Sequence, residues 1–320
     1  MKYLLGIFAL FCFFKSEAQL SSRNVAVHDP VLIKQDSIYY LFSTGNGIKV
    51  QSSIDLMNWK QEKPVFDQAP AWAVSLISNF KGHIWAPDVS LHNNLYYLYY
   101  SVSSFGKNAS AIGVATNQTL DPSAPNFKWV DHGKVIESIP RKDHWNAIDP
   151  NIITDENGIT WMAFGSFWDG IKLVELAKDL IHLGNNRQIF TIASHKKPGE
   201  SGNNAIEAPF IFRKNGYYYL FASVDYCCKG ENSTYKMIVG RSKHIKGPYL
   251  DHLNIPLTEG GGTILLAGDK EWNGVGHNAV YHSNGNDYLV FHGYDAHDAG
   301  KSKLRITTLI WRNGWPVIKE

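Results

Sequence analysis

The stretch 207–223, EAPFIFRKNGYYYLFAS, decides the fold. It opens on a carboxylate and a proline, then runs apolar through Phe210, Ile211 and Phe212. It turns at Lys214-Asn215-Gly216 and returns as an aromatic-rich run. Asn and Gly accept the left-handed backbone that a tight hairpin needs, so the segment reads as two antiparallel strands. Four other segments share the plan: HDPVLIKQDSIYYLFST from His28, APDVSLHNNLYYLYYSV from Ala86, IDPNIITDENGITWMAFGS from Ile148 and GHNAVYHSNGNDYLVFHGY from Gly276. A third strand commonly follows, as in SAIGVATN and YKMIVGRSK. Matched positions at Pro30, Pro87, Pro150, Pro209 and Ala279 lie 57, 63, 59 and 70 residues apart. A repeat of several short strands with little helix predicts an all-β, five-bladed β-propeller with one blade per repeat. A β-sandwich would need the whole plan to recur by chance.

In a propeller the first strand of each blade lines the central channel, so residues leading into those strands gather at one end of the axis. They are His28-Asp29, Asp88, Asp149, Glu207 and His277. Each Asp-Pro pair alone reads as a turn in which Asp caps backbone amides, and Asp88, displaced by one residue, keeps that reading. Asp29, Asp149 and Glu207 together are different, because acids converging on a cleft raise one another's pKa. Glycoside hydrolysis needs one neutral carboxylic acid and one ionised carboxylate. Glu207, flanked by Ile206, Ala208, Pro209 and Phe210, is the acid most desolvated by its neighbours and is expected to be the general acid.

The chain carries 31 basic and 29 acidic residues, scattered along its length. No basic stripe argues for nucleic acid, and a neutral substrate is the easiest match. Ten Trp, sixteen Tyr and sixteen Phe suit strands by default and sugar stacking by function. Residues 1–18, with Lys2, an apolar run from Tyr3 to Phe14, and Ser16 and Ala18, read as a cleaved secretory signal. Residues 19–320 are then expected to form a single soluble catalytic propeller, extracellular or periplasmic, with no membrane contact and nothing that demands an oligomer. Cleavage would leave Cys227 and Cys228, an adjacent pair that lacks metal-ligand spacing and can form a strained vicinal disulfide.

The motifs VHDPVLI, HIWAPDVS, SSFGKNASAIGVATN, WNAIDPNI, GSFWDGIKL, IEAPFIF, DYCCKGENSTYKMIVGRS and GHNAVY resemble the endo-α-1,5-L-arabinanases of glycoside hydrolase family 43. The resemblance runs from about Val27 to the C-terminus. It implies a five-bladed propeller that cleaves internal linkages of α-1,5-L-arabinan, a pectin side chain, with inversion. Asp29 would be the general base, Glu207 the general acid, and Asp149 the residue that raises the acid's pKa and orients it. A lone His277 reads as a packed, hydrogen-bonded residue; the resemblance makes it the protein ligand of one axial Ca2+ or Na+, otherwise bound by waters. Trp85 and Phe105 become platforms for arabinose rings, and Asn146, Ser166 and Trp168 further sugar contacts. Asp169 departs from the family's GSFWSGI and adds a carboxylate near the cleft. Sequons stand at Asn108, Asn117 and Asn232. The alternatives are an exo-acting arabinanase, an arabinofuranosidase or xylosidase on the same fold, or a non-catalytic carbohydrate-binding propeller, which would be expected to lack one of the acids.

Overall fold

The computed structural model describes residues 24–197 and 199–319. The signal segment 1–18 therefore lies outside the described residues. The chain first lays down β1 (Val31–Gln35), β2 (Ile38–Ser43), β3 (Gly45–Asn46), β4 (Lys49–Ser53) and β5 (Lys60–Gln61), then a short helix α1 (Ala71–Leu76). β6 (His83–His92), β7 (Leu95–Val102), β8 (Ser110–Asn117) and β9 (Val130–Ser138) follow. Next come β10 (Asn151–Thr154), β11 (Thr160–Phe164), β12 (Ile171–Glu175) and β13 (Ile189–Ala193). β14 (Ile206–Lys214), β15 (Tyr217–Val224), β16 (Lys236–Ser242) and β17 (Thr263–Leu266) form the fourth group. β18 (Trp272–Ser283), β19 (Asn286–Asp295), β20 (Lys301–Arg312) and β21 (Trp315–Ile318) close the chain.

Each group is one antiparallel sheet in sequence order, except that β3 leaves the first sheet to pair with β6 of the second. The first strands β1, β6, β10, β14 and β18 neighbour one another in turn, and β18 also neighbours β1. That ring is a five-bladed propeller. It is fastened where Ala26 pairs with Lys303 of β20 and the Leu304 N–H donates to the Val25 carbonyl at 2.9 Å.

The hairpins follow from the turn residues. Asn93-Asn94, Asn215-Gly216 and Asn284-Gly285 all adopt positive φ. In the third blade Asp155 Oδ1 accepts from the N–H groups of Asn157 and Ile159 at 2.8 and 3.0 Å.

The aromatic strands are buried on both faces, and this explains their unbroken apolar run. Along β7, Leu98 and Tyr100 pack with Tyr40 and Phe42 of the first blade, while Tyr99 packs with Met162 and Phe164 of the third. Along β15, Tyr218 and Leu220 face the third blade, while Tyr219 and Phe221 face the fifth. Five apolar clusters fill the five interfaces, the last joining Leu32 and Leu41 to Val290 and Leu304. Most of the aromatic content is core, each such side chain contributing about 1.5–3 kcal/mol on burial.

The register expected from the repeat pattern needs one correction. Asp29, Ala86, Asp149, Ala208 and His277 all have positive φ, between 44° and 58°. They are the equivalent positions, so the fifth match to the prolines is Asn278 and not Ala279. Glu207 consequently sits one residue before the level of Asp29 and Asp149.

Candidate active site

A bulge lies at the start of three inner strands, between Trp85 and Asp88, Glu207 and Phe210, and Gly276 and Ala279. Ala86, Ala208 and His277 lie in these bulges, Asp29 and Asp149 stand just before β1 and β10, and the N–H groups of all five leave the ladder and need partners. The end of the preceding blade's second strand supplies most of them. Ala86 N–H donates to Thr44 Oγ1 at 2.8 Å, Asp149 N–H to Ser101 Oγ at 3.0 Å and His277 N–H to Ser223 Oγ at 2.8 Å. Asp29 N–H donates to His292 Nδ1 at 3.2 Å. The third blade has Gly165 at this place, at φ 130°, where a Cβ would come 2.7 Å from the Gly170 carbonyl oxygen. With no side chain there, the Ala208 N–H donates instead to Asp149 Oδ2 at 3.1 Å. Asp149 is thereby aimed at the backbone next to Glu207.

Asp29 is held from several sides. His28 Nδ1 and His277 Nδ1 lie 2.8 and 3.0 Å from its Oδ1, and the Thr44 hydroxyl donates to Oδ2 at 2.5 Å. Burial opposes its charge, but the two imidazoles together outweigh it and hold the carboxyl well below the usual carboxylate range. Burial likewise works against charge on His277, yet Asp29, Asp149 and Glu207 raise it to about 9.

Glu207 is the opposite case. Burial raises its pKa, and the Ser166 hydroxyl, donating to Oε2 at 2.8 Å, tempers the rise. Burial also pushes Asp149 up to about 8, with His277 pulling down and the Glu207 and Asp29 charges pushing up. Burial raises the pKa of the Tyr235 phenol, the nearby Glu207 charge adds to the rise, and the phenol in turn favours the ionised form of Glu207. One carboxyl held low and two pushed up therefore share a single site.

Nine residues assigned to the site from the sequence line one cleft of about 1260 Å³: Asp29, Asp149 and Glu207, with His277, Trp85, Phe105, Asn146, Ser166 and Trp168. Phe105 is 79% exposed and Trp168 40%, an unusual setting for large aromatics without a stacking partner. Trp85 is half-buried, its Nε1–H donating to His83 Nδ1 at 2.9 Å. Asn146 is buried and accepts from the Ser110 hydroxyl at 2.6 Å, so part of its capacity is structural. Asp169 does not line the cleft; it pairs with the buried Lys172 ammonium at 3.2 Å. Asp88 accepts from Ile152 N–H at 2.8 Å and ties the second blade to the third, and burial raises it to about 7. Cys227 and Cys228 are both free thiols. Of the sequons, Asn108 and Asn117 are buried.

Sequence reading missed Thr44, His292 and Tyr294. His28 Nε2 is 2.9 Å from the Tyr294 hydroxyl, and His28 stacks on His292 at 4.0 Å. Thr44 and His292 stand where Ser101 and Ser223 stand in other repeats, so a polar residue at the end of each second strand was the available signal.

The axial cation expected from the resemblance makes specific demands. His277 Nδ1 faces Asp29, leaving Nε2 to bind a cation when the imidazole is neutral, and among the described residues the buried Asn278 amide beside it has no partner for either polar atom. Asp88 and Asp149 add acids whose ionised forms a cation would favour. This donor set suits a hard cation held mainly through waters. The tighter cluster of His28, Asp29 and His292 is a different feature, its ring nitrogens engaged within the hydrogen-bond network above.

Paired acids with pKa values shifted in opposite directions, beside exposed aromatics at one end of a propeller axis, define a glycoside hydrolase site. Residues 23–316 match the family model described as glycosyl hydrolases family 43, and the chain belongs to that family. It is 47% identical, over 99% of this chain and 92% of the relative, to an extracellular exo-α-(1→5)-L-arabinofuranosidase of Cellvibrio japonicus. It is 44% identical, over 92% of this chain and 88% of the relative, to an extracellular endo-α-(1→5)-L-arabinanase of Bacillus subtilis. Among solved structures, a Cellvibrio cellulosa α-L-arabinanase complexed with arabinohexaose superposes with a TM-score of 0.90 at 48% identity, covering 92% of this chain and 96% of that one.

Proposed function

We infer that the protein is an exported hydrolase of α-1,5-L-arabinan acting by inversion. Asp29, held ionised by His28 and His277, draws a proton from water as the water attacks the anomeric carbon. Glu207, kept protonated by burial, gives its proton to the departing sugar oxygen. Asp149 positions the strand that carries Glu207 through the Ala208 N–H and opposes a second charge beside it. Trp85, Phe105 and Trp168 offer ring faces to arabinose units, and Ser166 orients the acid. A Ca2+ or Na+ on the axis, bound through His277 and waters, would supply positive charge that favours the ionised form of Asp29. The names of the Cellvibrio japonicus and Bacillus subtilis relatives support export. The observation that carries the reading is the contrast between Asp29, gripped by two imidazoles that hold its carboxyl low, and Glu207, whose carboxyl burial pushes up, in one aromatic-lined cleft.

The sequence reading assigns cuts within the chain. A second reading, release of short oligosaccharides from a chain end, is favoured by the exo-acting Cellvibrio japonicus relative. It is favoured too by a bovine ruminal exo-1,5-α-L-arabinanase, whose structure superposes at a TM-score of 0.90 against 0.83 for the Bacillus subtilis arabinanase. Brief digestion of linear α-1,5-arabinan distinguishes them. Mixed oligomers mean internal cutting, and one uniform small product means action from an end. Proton NMR of the first products should show the β-anomer; an initial α-anomer sinks the inverting assignment.

A further inference from the structure

Blades four and five carry a second cavity at the end of the propeller away from the cleft. In the fourth blade Glu207 pairs with Ser223, whereas Lys214 pairs with Tyr217 and Tyr218 with Ser242. Tyr217 and Ser242 therefore lie at the far end of the sheet, roughly 20 Å from Glu207 at the rise of a β-strand. They line a cavity of about 350 Å³ together with Arg241, Lys243, His252 and Trp315.

Its cations are fixed in place. The Arg241 guanidinium lies 4.6 Å from the Tyr217 ring centre and 4.4 Å from that of Trp315, and its Nη1 donates to the Gly314 carbonyl at 2.6 Å. The Lys243 ammonium sits 3.6 Å from the same Tyr217 ring. Among the described residues, neither cation pairs with a carboxylate. Asp251 is the one acid in the lining, and it is spent on the backbone N–H groups of Leu253, Ile255 and Gly262 at 2.8, 2.9 and 3.0 Å. Two cations thus share one cavity wall, held by rings and not by counter-charges. A guanidinium edge presented in this way matches a planar carboxylate. The cavity is larger than a bare oxyanion needs and has the size of small-ligand sites. Ser242, His244 and Asn254 add hydrogen-bonding groups for hydroxyls.

We propose that this cavity binds a carboxylate-bearing sugar, a uronate unit of an acidic polysaccharide, on the face opposite the catalytic cleft. The protein would hold an acidic backbone with one face while the other cuts a neutral branch. The benefit to hydrolysis rests on the arabinan reading; the binding itself does not.

The test is titration calorimetry at low ionic strength with trigalacturonate, with neutral arabinotriose and sodium sulfate as comparisons. Trigalacturonate should bind the intact protein, and Arg241→Gln/Lys243→Gln should weaken it at least tenfold. Arg241 also packs against two rings, so Lys243→Ala serves as a second variant; it should weaken binding severalfold with an unchanged melting temperature and an unchanged rate on arabinohexaose. Absence of trigalacturonate binding overturns the proposal, as does undiminished affinity in both variants. Sulfate binding as tight as trigalacturonate would mean a simple anion site and would also overturn it. Failure of the arabinan reading shows separately, as no hydrolysis of arabinohexaose by a protein that still binds trigalacturonate.

Discussion

Replacing Ser166 with Ala tests how Glu207 is tuned. The hydroxyl donates to Glu207 Oε2 at 2.8 Å and favours the ionised form, partly offsetting the rise that burial causes. A hydrogen bond to a charged group is worth about 1.5–3 kcal/mol. At 1.36 kcal/mol per pKa unit, its removal raises the Glu207 pKa by about 1–2 units. The general acid works only while protonated, so activity falls as pH rises through this pKa. The alkaline limb of kcat/KM, which reports the free enzyme, should therefore move to higher pH by about one unit or more in Ser166→Ala. Because Glu207 and Asp149 are buried together, the limb belongs to the pair, but the direction is unchanged. The assay is initial-rate hydrolysis of arabinohexaose between pH 4 and 10. A limb that stays in place, or moves down, would refute the claim that Glu207 supplies the proton lost there.

Asp29→Asn should abolish turnover and leave arabino-oligosaccharide binding by calorimetry largely intact; in the unaltered protein the acid limb should lie below the ordinary carboxylate range, since Asp29 must be ionised and its pKa is depressed. Phe105→Ala, at a 79% exposed ring on the cleft, should raise KM for long substrates without shifting the melting temperature. An unchanged KM would remove Phe105 from the sugar platform. Leu98→Ala, at a fully buried site between the first and second blades, should cost about 2–5 kcal/mol in denaturant unfolding.

The propeller was legible because its signal is repeated. Polar turns such as Asn215-Gly216 and apolar, aromatic-rich runs such as Tyr217–Phe221 recur from blade to blade, and both faces of those strands are core. The acids were legible for the same reason, standing at one place in several repeats. Two things were hidden. The level of Glu207 relative to Asp29 depends on bulges that no residue type announces, so the fifth match slipped from Asn278 to Ala279. The grip on Asp29 is formed by His28, Thr44, His277 and His292, brought together across the seam between the first and last blades. Sequence distance conceals such contacts. Asp169 shows the reverse error: a carboxylate beside a cleft motif pairs with Lys172 and does not line the cleft.

The most direct test of the account is Glu207→Gln assayed on two substrates of different leaving-group demand. Arabinan leaves as a poor alkoxide and needs the proton, so its hydrolysis should fall by about 10²–10⁴-fold. A 2,4-dinitrophenyl glycoside of an α-1,5-arabino-oligosaccharide departs unaided and should retain most of its rate. Equal losses on both substrates, or full activity on arabinan, would contradict Glu207 as the general acid.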